Sequence, residues 1–130
     1  MTLQEIFAGC TAKPLLAEEP MAKHTSFRTG GPADLMAMPQ SEQELQQLLQ
    51  RAGEAKVPVT LIGNGSNLLV RDKGIRGLVI KLGNMLNDVA VDDCTLTFGS
   101  GVSLAAASRK AAELGLSGME FAVGIPGSIG

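Results

Sequence analysis

VTLIGNGSNLLV, residues 59–70, joins an apolar segment to an uncharged, glycine-rich loop and then to more apolar chain. We interpret residues 58–62 as a strand, and the apolar residues 68–70 favour a second one. Glycine lacks the Cβ atom that blocks close approach, and consecutive backbone N–H groups can hold an anion. The loop therefore favours a diphosphate site, but an ordinary Asn-Gly turn explains it equally well. Its residues are Gly63, Asn64, Gly65, Ser66, Asn67 and Leu68.

Two standard phosphate-binding signatures do not match this loop. A Walker loop needs Gly-Lys followed by Ser or Thr, and that sequence occurs nowhere in the chain. The dinucleotide fingerprint needs a third glycine where this chain has Leu68, and it needs a helix to follow. A different glycine-loop architecture is indicated.

The remaining pattern predicts alternating helices and strands. Thr2 and Glu5 form a capping box for a short helix, and Ser41 and Glu44 form another before an amphipathic helix that reaches Ala55. The charged stretch through residue 20 is expected to be a surface connection. Strands are expected at 33–38, 58–62 and 77–82, and a hairpin at 89–91 and 95–98. Ser103 caps a last helix that ends at Leu114 before Gly115.

This order predicts an α+β fold with mixed strand directions, in which residues 33–62 form a right-handed strand–helix–strand crossover. A length of 130 residues suits one domain, and hydrophobic residues make up 45% of it. The net charge of -2 argues against a nucleic-acid or anionic-membrane partner. Neither a bilayer-spanning run nor a secretory signal is visible, which favours the cytoplasm.

Several reactive side chains have simpler interpretations. Cys10 and Cys94 belong to no metal-binding motif, so we expect ordinary thiols and no metal site. His24 is interpreted as a surface or core histidine because no carboxylate accompanies it in a recognisable pattern. Arg28 could contact a phosphate or stay solvated. Asp92 and Asp93 suit a hairpin tip, and Met36 and Met38 suit a core-facing strand.

A second glycine-rich stretch ends the chain, and it is too apolar for an ordinary surface loop. It contains Gly124, Ile125, Pro126, Gly127, Ser128, Ile129 and Gly130. Together with residues 24–33, 63–72, 74–77 and 118–123, it resembles the N-terminal, FAD-binding domain of the UDP-N-acetylenolpyruvoylglucosamine reductase family. The similarity runs from about residue 24 to the end of the chain, with the motifs in the family's order.

The resemblance implies a fold of the vanillyl-alcohol-oxidase or p-cresol-methylhydroxylase type, with FAD held between two α+β subdomains. It implies a cytoplasmic oxidoreductase of peptidoglycan synthesis, which serves cell wall biogenesis, cell shape and cell division. Hydride passes from NADPH to the flavin, and then to the enolpyruvyl ether of the UDP-sugar substrate. Residues 63–68 would cradle the FAD diphosphate, and residues 124–130 would line the cofactor's other side.

The family's pattern continues beyond the position of Gly130 into a substrate domain that carries its catalytic serine, glutamate and arginine. We therefore expect a fragment with no catalytic residue, with residues 1–22 as an N-terminal helix and connection and residues 23–130 as an incomplete FAD-binding domain. The alternatives are the flavin domain of another oxidoreductase of this fold, a non-catalytic flavin-binding module, or a domain whose glycine loops are structural. The oligomeric state is not predicted.

Overall fold

The computed structural model describes residues 1–130 and divides them into two compact units, Met1–Met85 and Leu86–Gly130. The first unit contains a four-stranded sheet and the second a two-stranded sheet. Residues 1–22 share the first unit with the glycine-rich loop at residues 63–68. The functional boundary that the sequence suggested between residues 22 and 23 stays a prediction.

The sheet of the first unit has the strand order β1-β2-β4-β3. Its strands are β1 (Leu16–Pro20), β2 (Pro32–Ala37), β3 (Val59–Ile62) and β4 (Ile75–Lys81). β1 is antiparallel to β2, whereas β2 and β3 both run parallel to β4, which lies between them. The expected mixed α+β arrangement is therefore confirmed.

Two α-helices and a 3₁₀ turn complete the first unit: α1 (Leu3–Ile6), α2 (Glu42–Ala55) and the turn Met21–Lys23. The side chains of Thr2 and Glu5 make both hydrogen bonds of the predicted capping box. Ser41 also caps α2 as predicted, but the carboxylate of Glu44 accepts from the backbone N–H groups of Gln40 and Ala12 instead. No helix is long and apolar enough to cross a bilayer.

Both faces of the central strands are buried, as expected when helices or loops cover each side of a sheet. One core joins Leu35 and Leu78 to Leu48 of α2 and Phe7 beyond α1. The opposite core joins strand residues to Met21 and to Val70, which follows the 63–68 loop. In the crossover from β2 through α2 to β3, the helix thus packs against the sheet. The handedness of this crossover stays a prediction.

A β-bulge interrupts the pairing of β2 with β4. Ala33 pairs with Ile75 but Leu35 pairs with Leu78, so two residues of β4 face Asp34 alone. The carboxylate of Asp34 accepts a hydrogen bond from the Gly77 backbone N–H at 2.9 Å. The side chain of Asp34 thereby replaces the backbone partner that the bulge removes.

Three local expectations were wrong. Residues 16–20 form the edge strand β1 instead of a surface connection, because backbone pairing with β2 outweighs their polar composition. Residues 68–70 form no strand: Leu69 is exposed, while Val70 enters the core through an irregular segment. β4 begins at Ile75, two residues earlier than expected, since it pairs through the bulge.

The second unit contains the hairpin of β5 (Val89–Asp92) and β6 (Thr95–Phe98), then α3 (Leu104–Glu113) and the 3₁₀ turn Glu120–Ala122. Ser103 caps α3, and Gly115 has the left-handed φ of 70° expected after it. The expected hairpin and helix are confirmed. The hairpin turn centres on Asp93 and Cys94, because Asp92 still pairs with Thr95.

Candidate functional site

The 63–68 loop follows β3 and is fixed to another part of its own unit. Gly65 is buried with a φ of 66°, and a Cβ atom there would overlap the backbone carbonyl of His24. The Gly65 carbonyl accepts a hydrogen bond from the Ser26 N–H at 3.0 Å. The sequence interpretation assigned this glycine to ligand approach. In the structure, the protein's own backbone fills that space.

Residues 24–33 and 63–72, which carried much of the family resemblance, meet through their backbones. The Gly31 N–H donates to the carbonyl of Arg71 at 2.9 Å, and a Cβ atom on Gly31 would overlap the carbonyl of Asp72. Arg28 is exposed with a φ of 56°, so both of its sequence-based interpretations remain open. The two motifs form one structural feature. A glycine in each segment, Gly31 and Gly65, allows the backbone of the other segment to approach closely.

A cavity of about 380 Å³ lies beside this loop, where parallel strands of the sheet end. Its wall includes Met38 after β2, Asn64 after β3 and Lys81 at the end of β4. Ligands of open α/β sheets commonly bind outside the carboxyl ends of the strands. The other wall residues are Lys13, Gln40, Leu82, Gly83, Asn84 and Met85.

The chemistry of this wall suits an anion. Lys13 and Lys81 are the charged residues of the wall, and none of the wall residues is an aspartate or glutamate. Asn64 and Asn84 add amide side chains that can donate hydrogen bonds without changing the charge. Ammonium groups form strong hydrogen bonds to phosphate oxygens, so the cavity fits a diphosphate group.

His24 has a carboxylate partner that the sequence interpretation did not find. Its Nε2 atom lies 2.9 Å from Oε1 of Glu19, and its Nδ1 atom lies 3.0 Å from Nζ of Lys81. The side chains of His24 and Glu19 are only 11% and 16% exposed. Lys81 lies 57 positions after His24, so spacing in the sequence carries no signal of this contact.

Met36 and Met38 differ in the structure. Met36 is fully buried in the core, as predicted for a core-facing strand residue. Met38 lies beyond the end of β2 and is half-buried in the cavity wall. Met36 and Met38 are two positions apart, as residues on one strand face are, but β2 ends before Met38.

The residues of the second glycine-rich stretch lie in the second unit, and part of that stretch pairs with the segment before α3. Ser128 forms an antiparallel bridge with Ser103, and Ile129 N–H donates to the carbonyl of Val102 at 2.8 Å. A Cβ atom on Gly130 would come within 2.8 Å of the Ser100 Cβ. Here too, a glycine permits close contact within the protein.

Several apolar side chains around this second stretch are exposed, namely Phe121, Val123, Ile125 and Ile129. The hydrogen bonds of residues 127–130 hold their backbone in place while these side chains face outward. The 63–68 loop lies in one unit and residues 124–130 in the other. That both contact the same cofactor stays a prediction.

Comparison with known proteins gives the family. A model of the FAD binding domain matches residues 33–130, which is three quarters of the chain. This chain belongs to the FAD binding domain family. The match includes all of β2 but its first residue, together with α2, the 63–68 loop and the second glycine-rich stretch, so the expectation of a flavin cofactor is confirmed.

Relatives in the FAD binding domain family agree with the resemblance seen in the sequence. UDP-N-acetylenolpyruvoylglucosamine reductase of Heliobacterium modesticaldum is 50% identical over 88% of this chain and 37% of its own length. The protein of the same name from Agathobacter rectalis is 52% identical over 89% of this chain and 40% of its own length. The chain thus spans about two fifths of the length of these relatives.

Two solved structures confirm the fold class. UDP-N-acetylenolpyruvylglucosamine reductase from Thermus caldophilus is 33% identical, with a TM-score of 0.65 over 90% of this chain and 39% of its own. 6-Hydroxy-D-nicotine oxidase from Arthrobacter nicotinovorans is 17% identical, with a TM-score of 0.61 over 81% of this chain and 24% of its own. The second likeness concerns the fold alone, which is of the vanillyl-alcohol-oxidase type.

Proposed function

We propose that this chain is the FAD-binding portion of a reductase that converts UDP-N-acetylenolpyruvoylglucosamine to UDP-N-acetylmuramate with NADPH. The observation that carries the proposal is its identity of 50% and 52% to two reductases named for that substrate. The cavity beside the 63–68 loop supports it independently, because its lysines and amides suit a diphosphate.

The loop residues have distinct proposed roles. The backbone N–H groups and polar side chains of residues 63–68 contact the FAD diphosphate, and residues 124–130 contact another part of the cofactor. When bound, FAD supplies the hydride carrier between NADPH and the enol ether. The chain's own residues bind and orient it. We assign no proton donor within residues 1–130.

The proposal also gives a cellular role. The protein is a cytoplasmic flavoprotein that acts on a UDP-sugar precursor of peptidoglycan, and its product supports cell wall biogenesis, cell shape and cell division. The net charge of -2 is consistent with small-molecule partners and provides no basic field for nucleic acid.

The test is an activity assay on the full-length protein. Purified protein should contain FAD by its visible absorbance, and it should oxidise NADPH only when the enolpyruvyl substrate is present. UDP-N-acetylglucosamine, which lacks the enolpyruvyl group, is the matched negative control. A yellow protein that does not oxidise NADPH with this substrate would indicate another oxidoreductase of the same fold. A protein unable to bind FAD would indicate that the glycine loops are structural.

A further inference from the structure

The contacts of His24 define its hydrogen-bonding state. A lysine ammonium group can only donate hydrogen bonds, so Nδ1 of His24 must accept from Nζ of Lys81 at 3.0 Å. The proton of the neutral ring is then on Nε2, which donates to Oε1 of Glu19 at 2.9 Å. The three side chains form one directed hydrogen-bond chain from Lys81 through His24 to Glu19.

This chain connects three separate segments of the first unit. Glu19 lies on the edge strand β1, His24 follows the 3₁₀ turn, and Lys81 is the last residue of β4. The side chains of His24 and Glu19 are largely buried, so they leave little freedom for the Lys81 ammonium group that His24 contacts. Lys81 also lines the cavity that contains Asn64 of the 63–68 loop.

Lys81 keeps capacity for another ligand. Its ammonium group has three hydrogens, and the contact with His24 uses one of them. The other wall lysine, Lys13, is exposed, so it provides charge with less fixed geometry. A lysine held in place loses less side-chain entropy when it binds an anion, which favours Lys81 as the phosphate contact.

We propose that Lys81 binds a phosphate group of FAD and that His24 and Glu19 are positioning residues that hold its ammonium group at the cavity. The inference rests on the proposed FAD-binding function and adds specific side chains to it. It differs from the assignment of residues 63–68 to the FAD diphosphate, because here the side chain of Lys81, at the end of β4, binds the negative charge of the phosphate.

The first test compares ligands that carry or lack phosphate. FAD, ADP and riboflavin are titrated into full-length protein with Lys81 intact or changed to Met. Loss of one charge-assisted hydrogen bond should weaken FAD and ADP binding by about 10- to 100-fold and leave riboflavin unchanged. Lys81→Arg should restore part of the ADP affinity. Lys56→Met is the matched control, since Lys56 is an exposed residue after α2 and lies outside the cavity wall.

Salt provides a readout that a purely structural role would not change. Added salt should weaken ADP binding by the unaltered protein, because screening reduces attraction between charges. The dependence should be shallower in Lys81→Met and unchanged in Lys56→Met. A second measurement uses only the unaltered protein, so its result does not depend on whether a variant folds. Bound ADP should protect Lys81 but not Lys56 from acetylation.

The positioning role is tested by combining variants. His24→Ala should weaken ADP binding several-fold, and His24→Asn, which keeps an acceptor near Nδ1, should recover part of the loss. In the Lys81→Met background, His24→Ala should have no additional effect on ADP affinity, because the group that it positions is absent. Equal effects in both backgrounds would overturn the positioning role.

Two results separate this inference from the function on which it rests. If unaltered protein binds FAD, but Lys81→Met keeps its ADP affinity and ADP gives Lys81 no protection, the inference is overturned and FAD binding stands. If unaltered protein fails to bind FAD, both are overturned. A lower melting temperature in Lys81→Met with unchanged ADP affinity would show that the hydrogen-bond chain only joins β1 to β4.

Discussion

The backbone carbonyl oxygen of His24 occupies the space that a Cβ atom on Gly65 would fill. The same two segments share a hydrogen bond from the Ser26 N–H to the Gly65 carbonyl. The conformation of the glycine loop is therefore set by the segment that carries His24. Substitutions at Gly65 should affect folding and cofactor binding together.

We expect Gly65→Val to lose FAD binding and to lower the free energy of unfolding by about 2 kcal/mol or more. A β-branched residue resists the φ of 66°, and its Cβ atom would overlap the His24 carbonyl. Urea unfolding and flavin absorbance of full-length protein measure the two effects. Gly53→Ala is the control: Gly53 is in α2 with open space around it, and alanine there should stabilise by about 0.5–1 kcal/mol. Normal stability and stoichiometric FAD in Gly65→Val would contradict this explanation.

Asp34→Ala should destabilise the protein by about 1–3 kcal/mol, because the buried Gly77 N–H would lose its acceptor at the bulge. Arg76→Met removes the other partner of Asp34, which lies 2.7 Å away. The side chain of Arg76 is 63% exposed, so we expect a smaller loss of about 1 kcal/mol. Urea unfolding of both variants measures which substitution lowers the free energy of unfolding more. A larger loss for Arg76→Met would show that the hydrogen bonds from Arg76 Nη2 to the carbonyls of Pro32 and Lys73 matter more than both contacts of Asp34.

The pKa of Glu120 should lie below its ordinary value of 4.5, because backbone N–H groups of Glu120 and Gly118 stabilise the charged carboxylate. A folded pKa below the unfolded one means that this stabilisation is complete above about pH 4.5 and is lost as the pH falls through the folded pKa. Carboxyl-carbon NMR titration measures the pKa. Glu120→Gln should flatten this part of the stability profile, whereas Glu113→Gln should retain it.

Residues 1–130 alone should not oxidise NADPH when FAD and the enolpyruvyl substrate are supplied. They span about two fifths of the matched reductases, and a positioned general acid typically contributes about 10²–10⁴ in rate. The same residues should bind FAD weakly, so purified protein should be pale, and added FAD should raise its melting temperature slightly. Substrate-dependent NADPH oxidation would place the proton donor among these residues.

Local features of the fold could be predicted because their causes lie within a few residues. Thr2, Ser41 and Ser103 accept from backbone N–H groups three positions later, and Gly115 takes up the left-handed conformation after α3. Helix α2 follows from the three- and four-residue spacing of its leucines, and the β5–β6 hairpin follows from two short strand-like segments on either side of Asp93. The two glycine-rich stretches also identified the family, since their motifs occur in a fixed order.

Long-range pairing decided the features that the sequence did not predict. β1 forms because β2 supplies backbone partners to polar residues, and the carboxylate of Glu44 reaches Ala12, 32 positions away. Lys81 approaches His24 across 57 positions. Propensity and spacing describe neighbours along the chain, whereas these contacts depend on which segments the folded sheet brings together. The sequence alone therefore determined the helix caps, most strands and the family; only the tertiary structure placed lysines beside the loop and gave Gly65 its packing role.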